Sequence, residues 1–487
     1  MQLTRSSMLA NFFALAWTQL AGRVIRFIYL VAIARYLSQS DVGVFSYGTA
    51  LYISLAAIGV CGQEQLLSMR VGRKHGIFAT IAPHSLVIVA SSLIVVTGLG
   101  LTGLWVSEAD ATHLAPLLVL MLTVPARGAV VWIRACFVAI ERTTWIPRYE
   151  ATFRGVEVFF GMIALAAGAG LVVVCLIHVV IWLVEAALAW RLLVRATGFS
   201  ADVRIRAAVL KMYWRASAVL MVGPWLLFIF PQLAVIGLRQ IQQDMTLLAH
   251  LGIALQFFTT LLVVPISLVQ AIVPGVVRAA RGRDESDLMV LLTALKLSLL
   301  LGTLLAAVTL VAGPAILVAL FGEQYAPAGD VFVLLMWGLG PFSAAYIAIV
   351  VLNSVGAWRS AGTAAGLMVG VMTVAMAWIG TSDGMDVLHA TVTALLIASV
   401  TGMVWAFLSL SRVLALRNGV WWFRATCLFI ACMALALSGV LSPLWASVVG
   451  VMLAVGGSLS FGVLSPAELS GAWSRGGRRQ AVSDTRK

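Results

Sequence analysis

Residues 34–51, ARYLSQSDVGVFSYGTAL, are followed 204 positions later by residues 238–255, LRQIQQDMTLLAHLGIAL. At that offset the two segments share an arginine, a glutamine, a glycine, an alanine and a leucine, and the arginines are Arg35 and Arg239. Matches of Gly, Ala and Leu arise easily by chance in an apolar chain, whereas matches of Arg and Gln do not. The two segments therefore indicate an internal repeat, whose meaning depends on where the two copies lie.

The composition places both segments in a membrane. Hydrophobic residues make up 62% of the 487 residues and charged residues only 10%, whereas about a quarter of a soluble domain is charged. A helix needs about 20 apolar residues to cross the roughly 30 Å of hydrocarbon in a bilayer. The sequence therefore predicts an all-α integral membrane protein. Its fourteen predicted spans lie at about 10–33, 42–62, 81–105, 114–136, 155–172, 174–192, 216–237, 245–273, 288–312, 331–352, 361–380, 388–410, 423–440 and 443–464.

The basic residues follow the predicted topology. Of the 32 Lys and Arg residues, 25 lie in the N-terminal segment, in every second connection between spans and in the C-terminal tail. The intervening connections hold only Arg35 and Arg239, together with several acids. An excess of Lys and Arg marks the cytoplasmic side of a membrane protein. We therefore expect a multi-pass membrane protein with both termini in the cytoplasm, and the net charge of +13 does not indicate a nucleic-acid partner.

In this topology the two copies of the repeat have the same orientation. The first copy joins spans 1 and 2 and the second joins spans 7 and 8. Parallel repeats occur in secondary transporters, whose substrate site lies between the halves, and chance similarity between two apolar segments is the alternative. The predicted organisation is an N-lobe of helices 1–6 at residues 1–194, a cytoplasmic interfacial linker at 195–215, a C-lobe of helices 7–12 at 216–411, helices 13 and 14 at 412–466, and a basic cytoplasmic tail at 467–487.

Two stretches carry a family resemblance. The run ARYLSQSDVGVFSYGTA through GVCGQEQLLSMR resembles the first hairpin of bacterial polysaccharide flippases, and LFGEQYAPAGDVFVLLMWG followed by LNSVGAWRSAG resembles their turn after helix 9 and their exit from helix 10. With fourteen spans, nearly the whole chain resembles the O-antigen-type flippases of the multidrug/oligosaccharidyl-lipid/polysaccharide exporter superfamily. The second copy of the repeat departs from the pattern, because Asp244 stands one place early in the acidic turn.

This resemblance implies a V-shaped transporter of two six-helix lobes with two additional C-terminal helices. It would carry undecaprenyl-pyrophosphate-linked oligosaccharide units from the cytoplasmic to the periplasmic leaflet of the bacterial inner membrane by alternating access, for the synthesis of O-antigen, capsule or exopolysaccharide. The implied partners are the lipid-linked oligosaccharide, the lipid bilayer, a polymerase and other glycan-assembly proteins. Catalytic residues, metals and cofactors are not expected.

The anionic head of such a cargo requires positive charge within the membrane. A Lys or Arg at the centre of a span costs about 2.5–3.5 kcal/mol on the insertion scale and normally faces a cavity or a partner. Two acids also lie within spans, Glu157 and Glu185, as candidates for ion pairing or for coupling transport to an ion. The excess of positive charge favours an anionic substrate. The predicted substrate-binding residues are Arg23, Arg26, Arg127, Arg134 and Lys296.

Each candidate also has a purely structural interpretation. Arg23 and Arg127 lie deepest, and either could form a buried ion pair with Glu185 instead of lining a cavity. Snorkelling of the charged head into the headgroup region is the alternative for the three residues nearest the inner surface, which are Arg134, Glu157 and Lys296.

Four prolines lie in two neighbouring spans. Pro224 and Pro231 are in span 7, and Pro265 and Pro274 are in span 8. Because a proline removes a backbone hydrogen bond and tends to kink a helix, we predict that these spans bend during gating. Kinks that serve only packing are the alternative.

Three other functions compete with this one. A membrane glycan polymerase or ligase needs a large extramembrane segment or clustered His and carboxylates, whereas the outer connections are short and the six histidines show no metal-binding spacing. A multidrug or cation antiporter of the same superfamily would favour acidic sites. A peptidoglycan-precursor flippase would differ mainly in the sugar that it recognises. We therefore predict a transporter and not an enzyme, with the antiporter and the second flippase as alternatives.

Overall fold

A computed structural model describes residues 22–71, 77–108, 110–142, 146–199, 205–280, 286–382, 384–414, 420–437 and 442–460. The described chain consists of helices joined by short turns, so the predicted all-α architecture is confirmed. The helices are α1 (22–36), α2 (Gln39–Val60), α3 (Gln63–Val71), α4 (Phe78–Ser107), α5 (Ala111–Met121), α6 (Thr123–Ala139), α7 (Ile146–Ala166), α8 (Leu171–Thr197), α9 (Ala207–Ile241), α10 (Met245–Leu261), α11 (Val263–Ala279), α12 (Ser286–Phe321), α13 (Ala328–Ser354), α14 (Trp358–Gly380), α15 (Val387–Val413), α16 (Val420–Leu437) and α17 (Pro443–Ser460).

Ten helical segments within the described residues are long and apolar enough to cross a membrane. Two of these segments combine consecutive helices, α5 with α6 and α10 with α11. The other four predicted spans overlap α1, α7, α16 and α17. Residues 10–21 of the first span and the predicted tail at 467–487 lie outside the described residues. Of these four helices, α7 is unusual because four charged residues interrupt its apolar sequence. The helices thus follow the predicted spans along the chain.

Two predicted spans are each divided into two helices. Span 4 is interrupted at Leu122, between α5 and α6, and span 8 at Leu262, between α10 and α11. In both cases a proline follows three residues later, Pro125 or Pro265. A proline has no N–H to bond the carbonyl four residues earlier, and its ring clashes with that carbonyl. The division of span 8 therefore lies next to one of the predicted bends.

The prolines of span 7 do not interrupt their helix. α9 runs from Ala207 to Ile241 and contains both Pro224 and Pro231, and Pro274 lies within α11. α9 also begins inside the segment predicted as an interfacial linker, because residues 207–215 form the first turns of the long helix. Of the four predicted gating prolines, only Pro265 adjoins a helix break.

The alternating direction of the helices gives the bundle two ends. α2, α5, α8, α10, α13 and α15 begin at one end, which the charge pattern assigns to the periplasm and which we call the outer end. The opposite end, where α4, α7, α9, α12 and α14 begin, is the inner end. The two copies of the repeat, at α1–α2 and at α9–α10, both turn at the outer end.

The second helices of the two copies, α2 and α10, pack against each other. A Cβ atom added at Gly43 of α2 would overlap the backbone carbonyl of Met245, and one added at Gly252 of α10 would overlap the side chain of Ser46. Glycine is required at these two positions because backbone and side chain approach too closely for any larger residue. The repeat is therefore a contact between the two halves of the molecule.

The second half is organised around α13. This helix is the most enclosed of the ten candidate spans. Of its most apolar stretch 83% is buried inside the protein, compared with 22% for α4. It packs against α12 and α15, and α17 packs against α12. The C-terminal helices therefore extend the second half, and the contact between the halves includes the packing of α2 and α9 and of α2 and α10.

Candidate functional site

A buried ion cluster joins α7 and α8 in the first half. Arg154 is only 2% exposed, and its guanidinium donates from Nη1 to Glu157 and from Nη2 to Glu185. Glu157 lies three residues after Arg154 on the same helix, a spacing that brings two side chains together, whereas Glu185 is supplied by α8. Both carboxylates are also buried. One guanidinium therefore serves as the counter-ion of two acids in the membrane-embedded part of the bundle.

His178 completes the cluster. Its Nδ1 lies 2.5 Å from Oε1 of Glu157, and its Nε2 is buried without a hydrogen-bond partner among the described residues. A neutral ring protonated on Nδ1 donates to the carboxylate and leaves only an acceptor lone pair unsatisfied, which is less costly than an orphaned buried N–H. The geometry therefore favours the neutral Nδ1–H tautomer, and Glu157 accepts hydrogen bonds from two donors.

Arg127 lies beside this cluster but outside it. Its guanidinium carbon is 5.6 Å from the ring centroid of Tyr52 on α2 and 5.3 Å from that of Trp182 on α8. The aromatic rings stabilise a cation by their quadrupoles, to about 2 kcal/mol when the pair is desolvated. Within the described part of the chain, Arg127 has no carboxylate within ion-pair distance. Its counter-ions are aromatic faces, and its positive charge is not neutralised.

Arg26 is a second uncompensated cation. Its side chain is exposed, although its position is ten residues from the outer end of α1, about 15 Å along the helix and therefore near the middle of a bilayer. It lies within electrostatic range of Arg154, Tyr52 and Glu157. Among the described residues it forms neither a hydrogen bond nor an ion pair.

Arg23 connects α1 to the second half. Its Nη1 donates to the backbone carbonyl of Thr259 on α10, and it interacts electrostatically with Tyr346 on α13. Thr259 lies three residues before the helix break at Leu262. Arg23 therefore lies at the junction of the halves, one turn of α1 away from Arg26.

The remaining two predicted cations have different surroundings. Arg134 forms an ion pair of 3.0 Å with Glu150 near the inner end, where the two side chains are 48% and 31% exposed. Lys296 is buried in α12 of the second half, on a helix that contributes nothing to the cluster described above. The structure thus brings Arg26 and Arg127 together with Glu157 and Glu185, and it separates Lys296 from them.

Sequence reasoning missed two members of the ion cluster, Arg154 and His178, and the two aromatic residues beside Arg127, Tyr52 and Trp182. Arg154 was assigned to a basic inner connection, but it is buried within α7, so that assignment is wrong. Glu185 is paired with Arg154 and not with Arg23 or Arg127. The sequence did contain a signal for some of these residues. Arg154 and Glu157 are three residues apart, and His178, Trp182 and Glu185 lie on one face of α8. Tyr52 carried no comparable signal.

The two halves are joined at the outer end. Arg35 donates from Nε to the carbonyl of Leu320 at 2.6 Å and from Nη2 to that of Ala319 at 2.5 Å. Arg239 forms an ion pair of 2.7 Å with Glu108. By contrast, residues 22–28 of α1 are exposed or half-buried, while residues 29–34 are mostly buried. The halves are therefore in contact at the outer end, and the inner part of α1 is less covered than its outer part.

The architecture is similar to that of solved exporters. The lipid II flippase MurJ in an inward closed conformation gives a TM-score of 0.66 at 10% identity, covering 92% of this chain and 98% of that chain. An inward-facing multidrug resistance MATE family transporter of the MOP superfamily gives 0.61 at 14% identity, covering 83% and 100%. The Vibrio cholerae MATE transporter VcmN in the bent form gives 0.54 at 13% identity, covering 84% and 98%.

No family model matches the sequence, and no curated protein is significantly similar to it. At the identities of the solved structures, the likeness concerns the fold. The chain has an all-α membrane transporter fold like that of MurJ and the MATE transporters.

Proposed function

We propose that the protein is a flippase that moves undecaprenyl-pyrophosphate-linked oligosaccharide units from the cytoplasmic to the periplasmic leaflet of the inner membrane. Transport would proceed by alternating access of a cationic cavity between its two lobes. The observation that carries the proposal is the pair Arg26 and Arg127. Both residues lie well inside predicted spans, and neither guanidinium has a carboxylate partner among the described residues.

An uncompensated guanidinium at this depth calls for an anionic ligand. A Lys or Arg at the centre of a span costs about 2.5–3.5 kcal/mol, and the cost is offset by a partner or by a water-filled cavity. Arginine offers paired N–H donors that match phosphate oxygens. A pyrophosphate head carries its charge close to a prenyl tail that can stay in lipid. Arg26 and Arg127, assisted by Arg23 at the junction of the halves, would bind that head.

The same cluster argues against a cation antiporter. A transported cation would need a carboxylate free to bind it, but Glu157 and Glu185 are occupied by Arg154, and Glu157 also by His178. Three guanidinium groups and two carboxylates leave an excess of positive charge. This environment would repel a cationic drug and attract an anion.

A peptidoglycan-precursor flippase is the second candidate. The fold matches that of the lipid II flippase MurJ over 92% of this chain, and its cargo, like the proposed one, would offer a lipid-linked pyrophosphate to the same arginines. The two candidates share the proposed head-group chemistry and differ in the sugar. We favour the polysaccharide unit because of the sequence resemblance in the two hairpins.

The test uses the purified full-length protein in liposomes with a fluorescent undecaprenyl-pyrophosphate-linked oligosaccharide. Protection of the probe from an external quencher measures translocation, and lipid II and ethidium are assayed in parallel. The double variant Arg26→Gln/Arg127→Gln is expected to lower translocation at least about tenfold. Arg191→Gln is the matched control, because Arg191 is exposed near the inner end of α8.

The outcomes separate the candidates. Translocation of the oligosaccharide but not of lipid II supports the proposal, and the reverse supports the peptidoglycan precursor. Accumulation of ethidium driven by an ion gradient, with no lipid translocation, would overturn both flippase candidates. Full translocation by a well-folded Arg26→Gln/Arg127→Gln variant would remove these arginines from the mechanism.

A further inference from the structure

We infer that Arg154 is a positioning residue that keeps Arg26 and Arg127 available for the anion by holding both buried carboxylates itself. The inference rests on the proposed function, because it concerns the same cationic site. It assigns a role to a residue that does not itself have to touch the cargo. Its basis is the arrangement of Arg154 and Arg127 beside one indole ring, with both carboxylates paired to Arg154.

The indole of Trp182 is close to these two guanidinium groups. Its ring centroid is 4.0 Å from the guanidinium carbon of Arg154 and 5.3 Å from that of Arg127. Arg154 therefore has two kinds of partner, an aromatic face and two carboxylates, whereas Arg127 has only aromatic faces. The acids that neutralise Arg154 lie only one ring away from Arg127.

These carboxylates would otherwise compete with the cargo. Glu157 already attracts Arg26 electrostatically, although the two form no direct ion pair. A buried carboxylate without a partner is very unfavourable, so in the absence of Arg154 the two acids would pair with the nearest cations. One of those cations is Arg26, which already interacts with both acids, and Arg127 lies beside the same indole as Arg154. The site would then be occupied by the protein's own carboxylates.

Trp182 and His178 support this division of charge. The buried indole lies close to both Arg127 and Arg154, so that Arg127 has an aromatic partner in place of a carboxylate. His178 donates to Glu157 on the side away from Arg154 and fixes that carboxylate within the cluster. Two bonds from Arg154, one from His178 and the indole beside Arg127 thus keep both acids away from the anion site.

The inference predicts that a loss of anion binding can be reversed, which distinguishes a positioning role of Arg154 from direct contact with the anion. Removing Arg154 should weaken anion binding, and removing the two acids in the same protein should restore it. Binding of undecaprenyl pyrophosphate is measured on the full-length protein in nanodiscs, with the dissociation constant and the bound fraction determined separately. Thermal stability is recorded for each variant.

Arg154→Gln is expected to raise the dissociation constant at least about tenfold, while Arg154→Gln/Glu157→Gln/Glu185→Gln should return it to within about threefold of the native value. If Arg154 contacted the anion directly, the triple variant would bind as weakly as the single variant. If the cluster served only stability, Arg154→Gln would lower the bound fraction and the melting temperature and leave the dissociation constant unchanged. Either result would overturn the inference.

A second comparison keeps the test decisive if Arg154→Gln does not accumulate. Arg154→Gln/Glu185→Gln retains a single acid, Glu157, and should bind more weakly than the triple variant, in which no acid remains. Equal dissociation constants for these two proteins would contradict the inference. Unchanged binding by Arg26→Gln/Arg127→Gln would instead overturn the proposed function, so that the two failures are distinguishable.

Discussion

Arg35 and Arg239 occupy the same position in the two copies of the repeat, and each binds the end of a helix in the opposite half. Arg35 donates to the carbonyls of Ala319 and Leu320 at the outer end of α12, and Arg239 pairs with Glu108 at the outer end of α4. α4 and α12 are the third predicted span of their respective halves. The outer closure is therefore a reciprocal contact made by repeat-related arginines.

The Arg239–Glu108 pair is expected to hold the outer end closed. The two side chains are only 10% and 6% exposed, and removing one partner of a buried pair leaves an uncompensated charge. Glu108→Gln should shift the population toward an outward-open state by at least about tenfold. The distance between spin labels at Thr112 and Ala326, in a background without native cysteines, measures the shift. The swap Arg239→Glu/Glu108→Arg should restore the short distance, and a distance that Glu108→Gln leaves unchanged would contradict the prediction.

Gly43 should be intolerant of even a methyl group. A Cβ atom at this position would overlap the carbonyl of Met245, which is backbone and cannot move without shifting α10. Gly43→Ala is expected to cost about 1–3 kcal/mol through overpacking and to lower the melting temperature in nanodiscs. Gly98→Ala on α4 is the matched control, because a Cβ there meets nothing within 4 Å. A similar melting temperature for the two variants would show that α2 and α10 are not tightly packed.

Pro265 is expected to matter more for transport than Pro231. The helix is divided three residues before Pro265, whereas α9 passes through Pro231 without interruption. Pro265→Ala would supply the missing N–H and favour a continuous α10–α11 helix. We expect about tenfold slower translocation by Pro265→Ala at equal abundance and a smaller effect of Pro231→Ala. The opposite order would place the bend used in gating on α9.

The start of α15 should respond to acid. Oδ1 of Asp386 accepts hydrogen bonds from the backbone N–H groups of Leu388 and His389, and Oδ2 lies 2.8 Å from Nδ1 of His389. Burial opposes ionisation of Asp386, but the hydrogen bonds and charge of His389 outweigh it, so the pKa of this carboxyl lies below its ordinary value.

A carboxyl group whose pKa is lower in the folded than in the unfolded state stabilises the fold at pH values above the unfolded pKa, about 3.9 for Asp. That contribution is lost as the pH falls through the folded pKa. Hydrogen exchange in the first turn of α15, corrected for intrinsic rates, should therefore accelerate at acid pH in the native protein. In Asp386→Asn the corrected rate should no longer change with pH, and an unchanged acid response would assign the effect to another group.

Reporter fusions test the orientation on which the inner and outer ends depend. Fusions after residues 110, 242, 325 and 385 should report the periplasm, because these connections are poor in Lys and Arg. Fusions after residues 74, 205, 283 and 480 should report the cytoplasm. A reversed pair would change the order of the spans between the two fusion points.

The sequence predicted the secondary structure more completely than it predicted the residues of the site. Apolar runs of spanning length predicted the order of the helices, and Pro265 indicated a bend where span 8 is divided. Arg26 and Arg127 could be predicted as site residues because a charged residue within a span is energetically costly and therefore indicates a partner or a function. Arg154 was overlooked because it follows a run of polar residues, and position along the chain did not show that α7 buries it.

Hydrophobic length and charge asymmetry are properties of the chain alone, so the sequence was enough to predict an all-α membrane protein and to indicate a repeated hairpin. Which charges neutralise one another depends on the tertiary structure. Glu185 lies 31 residues after Arg154 and pairs with it, and Tyr52 reaches Arg127 from another helix. Electrostatic pairing falls off with distance in space, and the packing of α2, α6, α7 and α8 sets those distances.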